Sequence, residues 1–220
     1  MKNQLELFLI ELKNNVIALI IYLIFLWGIF SSYLVNHIIS IMKIQGDAQV
    51  ILDELQMFIP LFLVFIFFIF MHHRMDAGSQ ELFRSMSSKT GLIYMFYIFV
   101  FIQIVLMLIY GIILFLLGTS IFLSFMKILL LIELFLTALF YFLNVVGHNL
   151  LLSLVGIIIY VFVFTQAYPY PMWFNIFKMN TYIVEESLME YVIQLCISIL
   201  FIIISFYIEK REAGNFIAKQ

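Results

Sequence analysis

One cysteine, Cys196, occurs in 220 residues, and it sits inside an apolar run. No disulfide can form within the chain, and the thiol reads as a small buried hydrophobe. Charge is equally scarce. Charged residues make up 11% of the chain and hydrophobic ones 65%, against roughly 25% and 45–50% in soluble domains. A water-soluble fold cannot hide that much apolar surface, so the solvent must be lipid. The net charge of −2 gives no basis for a nucleic-acid partner. Chemistry-bearing motifs are missing too. No G-x-x-x-x-G-K-[ST] phosphate loop and no H-E-x-x-H zinc motif occurs, which excludes ATP binding by that loop and that class of metalloprotease.

What the chain has is long apolar runs. A spanning helix needs about 20 mostly apolar residues. Six stretches qualify or come close: 16–35, 55–71, 92–117, 121–146, 150–166 and 191–207. Pro60 is expected in the first turns of the second, where its missing N–H is tolerated. Gly118-Thr119-Ser120 and Gly147-His148-Asn149 supply the short breaks around the fourth. The fold class expected is an all-α membrane protein with six transmembrane helices in one domain, residues 1–220. The first run is too long for a signal-peptide core, follows Glu6 and Glu11, and lacks a small-residue cleavage site, so it reads as retained.

The distribution of cations gives a direction. With the N-terminus in the cytoplasm, Lys2, Lys13, Arg74, Arg84, Lys89, Lys210, Arg211 and Lys219 all fall on the cytoplasmic side, and only Lys43, Lys127 and Lys178 fall outside. Both termini are therefore expected inside. Asp47, Asp53, Glu54, Glu185, Glu186 and Glu190 are assigned to outer loops.

Residues 1–15 place Leu5, Phe8, Leu9 and Leu12 at i, i+3, i+4, i+7. That is one apolar stripe with a polar back, suited to lying in the membrane interface. The Asn14-Asn15 pair favours a bend before the first span.

Residues His72 to Tyr97 open with the one sizeable polar island in the first half, carrying Arg74, Arg84 and Lys89 against Asp76 and Glu81. Ser79 is a fitting N-cap, and Glu81 lies near the positive end of a short helix over about 78–87. Leu82, Phe83 and Met86 give that helix an apolar side. Held between two spans, such a helix would pass force from a partner into both. His72 and His73 point about 100° apart on a helix, a poor arrangement for one metal ion.

Asp76, Gly78, Glu81, Leu82 and Ser87 resemble the acidic-x-Gly-x-x-Glu-Leu-x-x-x-x-Ser pattern of the coupling helix in permeases of ABC-2 type exporters. The order of parts is also similar: an amphipathic start, six spans, a long outer segment before the last, and a charged end at Glu209-Lys210-Arg211-Glu212. The resemblance implies a bacterial cell-membrane permease that is not itself catalytic. It implies a second permease subunit, identical or related, and two cytoplasmic ATPase subunits docking on Gly78 to Ser87, with Phe83 and Arg84 in the contact. ATP and Mg²⁺ would be held by those ATPases, and no cofactor by this chain. The N-terminal helix is poorer in arginine than the family's, which weakens the carry-over of its ATPase contacts.

The outer segment, 167–189, carries Tyr168, Tyr170, Trp173, Pro169 and Pro171. It reads as a re-entrant or interfacial element, with its aromatics at the headgroup level; by resemblance Tyr168, Tyr170 and Trp173 would gate the outer end of the path. Glu133 is the sole acidic residue inside a span, so it must be neutral, paired, or facing a polar interior. Asn144 lies on the same span, and the two together could line a translocation path; a structural hydrogen bond between helices is the competing reading. Gln103, Thr137, Ser153 and Gln194 read as polar glue between helices. A wall rich in Phe (26) and Met (12) suits hydrophobic or amphipathic peptide cargo, such as bacteriocins or cytolytic peptides. The alternative reading is a non-transporting membrane immunity or assembly protein. An intramembrane protease built on Glu185-Glu186 is disfavoured, because His37, His72, His73 and His148 do not sit mid-span at helical spacing.

Overall fold

The computed structural model describes residues 2–44, 48–71, 89–166, 177 and 188–217. These are almost entirely helical, with no strand among the described residues: α1 (Lys2–Asn14), α2 (Val16–Leu23), a π-helical turn (Ile24–Phe30), α3 (Ser31–Ile44), α4 (Ala48–Met71), α5 (Lys89–Leu117), α6 (Thr119–Gly147), α7 (Leu150–Gln166) and α8 (Leu188–Ile217). Four of them are long and apolar enough to cross a bilayer, over Val50–Met71, Leu92–Leu116, Phe125–Gly147 and Tyr191–Arg211. These match the second, third, fourth and sixth expected spans. Helix α7 is a shorter apolar helix of 17 residues. The first expected span lies in α2, the π turn and the start of α3; Phe8–Asn14 and Val16–Gly28 together pass as one further span, bent by 73°. The bend is at Asn15, as the Asn pair suggests.

Helix α4 begins at Ala48, seven residues before its expected start. Pro60 therefore falls mid-helix rather than in the first turns, and Asp53 and Glu54 are helical rather than in a loop. The cause is the Val50-Ile51-Leu52 run, whose last two residues are fully packed in the core.

Helix α6 is the hub, packing along α4, α5, α7 and α8. Its core contacts are large and flat: the rings of Phe67 on α4 and Phe140 on α6 stack at 4.3 Å. Helix α8 is peripheral, with 17% of its span buried against 69% for α4. Gly156 lets α7 lie close to α6, since a Cβ there would come within 2.8 Å of Leu143.

Two side-chain hydrogen bonds involve the π turn. Trp27 donates its indole N–H to the Val105 carbonyl on α5 at 2.8 Å, and Ser32 donates its hydroxyl to the Gly28 carbonyl at 2.6 Å.

The joints flanking α6 carry its two unusual backbones. Gly118 has φ 83° and ψ 171°, a conformation essentially confined to glycine. A Cβ there would touch nothing within 4 Å, so Gly118→Ala should cost about 1–3 kcal/mol through strain alone. His148 ends α6 in the left-handed region, φ 47°, with its N–H on the Asn144 carbonyl at 3.0 Å. His148→Gly should gain about 1 kcal/mol. Thermal unfolding in detergent reads both, and equal melting temperatures for wild type and the two variants would refute the assignment of strain.

Candidate functional site

Gln103 and Tyr110 are the only polar side chains between Ile98 and Leu117. Seven residues apart, they occupy one face of α5, two turns from each other. Opposite them, in the middle of α6, is Glu133, fully buried. Gln103 donates its side-chain amide N–H to one carboxyl oxygen of Glu133. The Tyr110 hydroxyl donates to the other. The carboxyl group is thus enclosed by α5, with each oxygen accepting one bond. This answers the requirement that an intramembrane acid be paired or face a polar interior.

Asn144 lies eleven residues further along α6, about 16 Å on and within about 20° of the same face. Its side-chain oxygen is buried without a hydrogen-bond partner among the described residues. The polar stripe joining the two is thin. Thr137 donates to the Glu133 backbone carbonyl at 2.7 Å, and Phe140 is packed in the core. Glu133 therefore faces α5 in this conformation rather than the outside of the bundle. Of the residues read as glue between helices, Gln103 bridges α5 and α6, whereas Thr137 donates within α6 and Ser153 donates to the Asn149 carbonyl, just before α7, at 2.9 Å.

A second assembly gathers at the end of the bundle where α4 stops and α5 starts. Phe8 on α1 is buried. Its ring stacks on Phe70 at 5.2 Å and meets Tyr94, Tyr97 and Phe101 at 6.0, 5.7 and 6.4 Å. The Tyr94 hydroxyl donates to the Phe70 carbonyl at 3.1 Å. One aromatic side chain thus wedges α1 between the ends of the two helices that bracket residues 72–88. At the same end, Tyr141 on α6 donates to Glu209 on α8 at 2.6 Å.

At the opposite end of α4, His37 Nε2 and Glu54 lie 2.6 Å apart, with Tyr33 stacked on the His37 ring at 5.4 Å. Among the described residues no group of three or more His, Cys, Asp or Glu gathers to hold a metal ion.

Asp76, Gly78, Glu81, Leu82, Phe83, Arg84 and Ser87 lie outside the described residues, as do Tyr168, Tyr170 and Trp173. From the outer segment, Phe177 is buried, its ring 6.1 Å from Tyr160 on α7, and Leu188 and Met189 already belong to α8. Sequence reasoning singled out Glu133 and missed Tyr110 and Phe8. The signal for Tyr110 was its two-turn spacing from Gln103 in an otherwise apolar span; Phe8 carried none beyond its place on the stripe.

No protein-family model, no curated protein and no solved structure matches the chain.

Proposed function

We propose that the chain is the membrane-spanning permease subunit of an ATP-driven exporter of the ABC-2 type. In this reading it crosses the membrane six times, through α2 with its π turn, α4, α5, α6, α7 and α8. Both termini are cytoplasmic, and α1 lies along the inner interface. Two permease subunits enclose a path for hydrophobic or amphipathic peptides. Two ATPase subunits dock on residues 78–87 and supply ATP and Mg²⁺ chemistry that this chain lacks.

The observation that carries the reading is the Phe8 wedge. Residues 72–88 are tethered at both ends to helices that Phe8 joins to α1. From α5 the linkage continues through Gln103 and Tyr110 to Glu133 on α6, and from α4 through the Phe67–Phe140 stack. A push on the polar segment therefore reaches α1, α4, α5 and α6 together. Such a linkage suits a chain whose energy source is on another subunit. The pattern Asp76, Gly78, Glu81, Leu82, Ser87 supports the choice of docking segment, and the scarcity of fixed charge supports an apolar cargo.

The test is purification of the tagged chain in mild detergent from its own host. We expect a stoichiometric soluble ATPase with a phosphate loop, lost on Glu81→Ala with Arg84→Ala while the permease stays folded. Transport unchanged in that double variant would sink the docking assignment. A chain that purifies with no ATPase in several detergents would favour a membrane immunity or assembly protein instead.

A further inference from the structure

The end of α4 remote from Phe8 carries a cluster that neither the aromatic wedge nor the Glu133 pairing uses. Tyr33 and His37 are four residues apart on α3, and Glu54 and Phe58 are four apart on α4, so each pair shares one face of its helix. The two faces meet. His37 Nε2 lies 2.6 Å from a carboxyl oxygen of Glu54, and the Tyr33 ring meets Phe58 edge-on at 6.3 Å. Within α3 the Tyr33 ring lies flat on the His37 ring, 5.4 Å away and tilted by 10°. Of the described α3 side chains Ile38 alone is buried, so α3 leans on this cluster for its hold on α4. The His37 and Glu54 side chains are 33% and 27% exposed, and protons reach the pair without crossing the bundle.

The strength of this contact depends on the charge of the ring. An imidazolium facing a carboxylate adds Coulomb attraction to the hydrogen bond, and a cation over an aromatic face adds a cation–π attraction. A neutral imidazole keeps at most the hydrogen bond, and only in the tautomer that carries its proton on Nε2. Imidazole is the side chain that changes charge between roughly pH 5 and 8. The contact is therefore tightest below that range, until a carboxylate takes up its own proton near about pH 4, and it weakens as pH rises. The neighbouring charges are few. Asp53 is turned about 100° from Glu54 on α4, and Lys43 about 120° from His37 on α3. Asp47 lies outside the described residues. The π turn has no titratable residue, and α5 has no charged one beyond Lys89. Tyr110 of α5 is engaged by Glu133, and Tyr94 and Tyr97 sit at the far end with Phe8.

We propose that His37 and Glu54 form a pH-sensitive latch, which holds α3 against α4 when the His37 ring carries a proton and loosens when it does not. The Tyr33–Phe58 contact involves no charge and is the fixed point about which the rest of α3 moves. The latch lies at the end of α4 remote from residues 72–88. It stands apart from the exporter reading, because it depends on neither an ATPase nor a cargo.

The full chain is spin-labelled at two exposed positions, Asn36→Cys on α3 and the native Cys196 on α8, and placed in lipid nanodiscs. Double electron–electron resonance then reads the distance distribution at about pH 5.5 and about pH 8, on either side of the imidazole range. We expect one dominant distance at the lower pH and a displaced second population that grows about fivefold at the higher. His37→Gln, neutral at both, should give the same distribution at the two pH values. Glu54→Gln should do the same, and it serves if the first variant does not fold. Asp53→Asn should keep the wild-type response. Wild-type distributions that coincide at the two pH values overturn the latch, as does a response that survives in both His37→Gln and Glu54→Gln. A response lost in Asp53→Asn overturns the assignment to Glu54.

Discussion

Replacing Glu133 by alanine should destabilise the folded bundle by about 2–4 kcal/mol. The substitution removes the acceptor of two hydrogen bonds from α5 at once. Each orphaned donor costs about 1–3 kcal/mol where water cannot reach it. In membranes the measured value of such bonds averages nearer 0.6 kcal/mol, because the dissociated helices find other partners. A cavity then adds to the loss, since Glu133 is completely enclosed. Glu133→Gln is the informative control. It keeps an oxygen for the Tyr110 hydroxyl, and after rotation of the Gln103 amide its N–H₂ can donate to the Gln103 oxygen, so a cost below about 1 kcal/mol is expected. Equilibrium unfolding in mixed detergent reads both. Equal stability of the Ala and Gln variants would mean that the carboxyl group does not pin α5 to α6.

Phe8→Ala should release α1 while leaving the spans folded. Helix α1 carries much of its contact with α5 through one ring that touches four others. The apolar transfer gain is smaller than in water, because a released helix meets headgroups and lipid. What remains is packing and ring geometry, together about 2–3 kcal/mol. That corresponds to roughly 30- to 150-fold faster amide exchange over α1, confined there because terminal elements open locally. Exchange in α6 should not change. Phe8→Leu should recover part of the protection. If α1 exchanges at the wild-type rate in Phe8→Ala, the wedge is not what holds the helix. Under the exporter reading the same variant weakens transport without dissociating the ATPase, which separates it from the Glu81 and Arg84 changes.

Several features were legible before any coordinates. Apolar length located the four bilayer-length helices, because lipid forces every backbone group to be satisfied within a helix. The Gly118 and Gly147-His148-Asn149 breaks were legible as well, since the backbone conformations needed there restrict residue choice. The bend at Asn15 followed from a residue pair that competes with helical hydrogen bonding. Helix α4 starts earlier than its charges suggest, because Glu54 is accommodated in the helix by His37, seventeen residues earlier.

Composition and spacing by themselves determined that the chain is helical, that four of its helices are long and apolar enough to cross a bilayer, and where most of its helices start and stop. These are local properties, governed by how each segment meets its solvent. Only the tertiary structure decided that Glu133 turns to Tyr110 and Gln103, that Phe8 closes the end of α4 and α5, and that His37 meets Glu54. Each depends on which faces of different helices meet. In a chain that is apolar around most of every helix, the sequence pattern carries little information about that choice, and packing of particular side chains makes it.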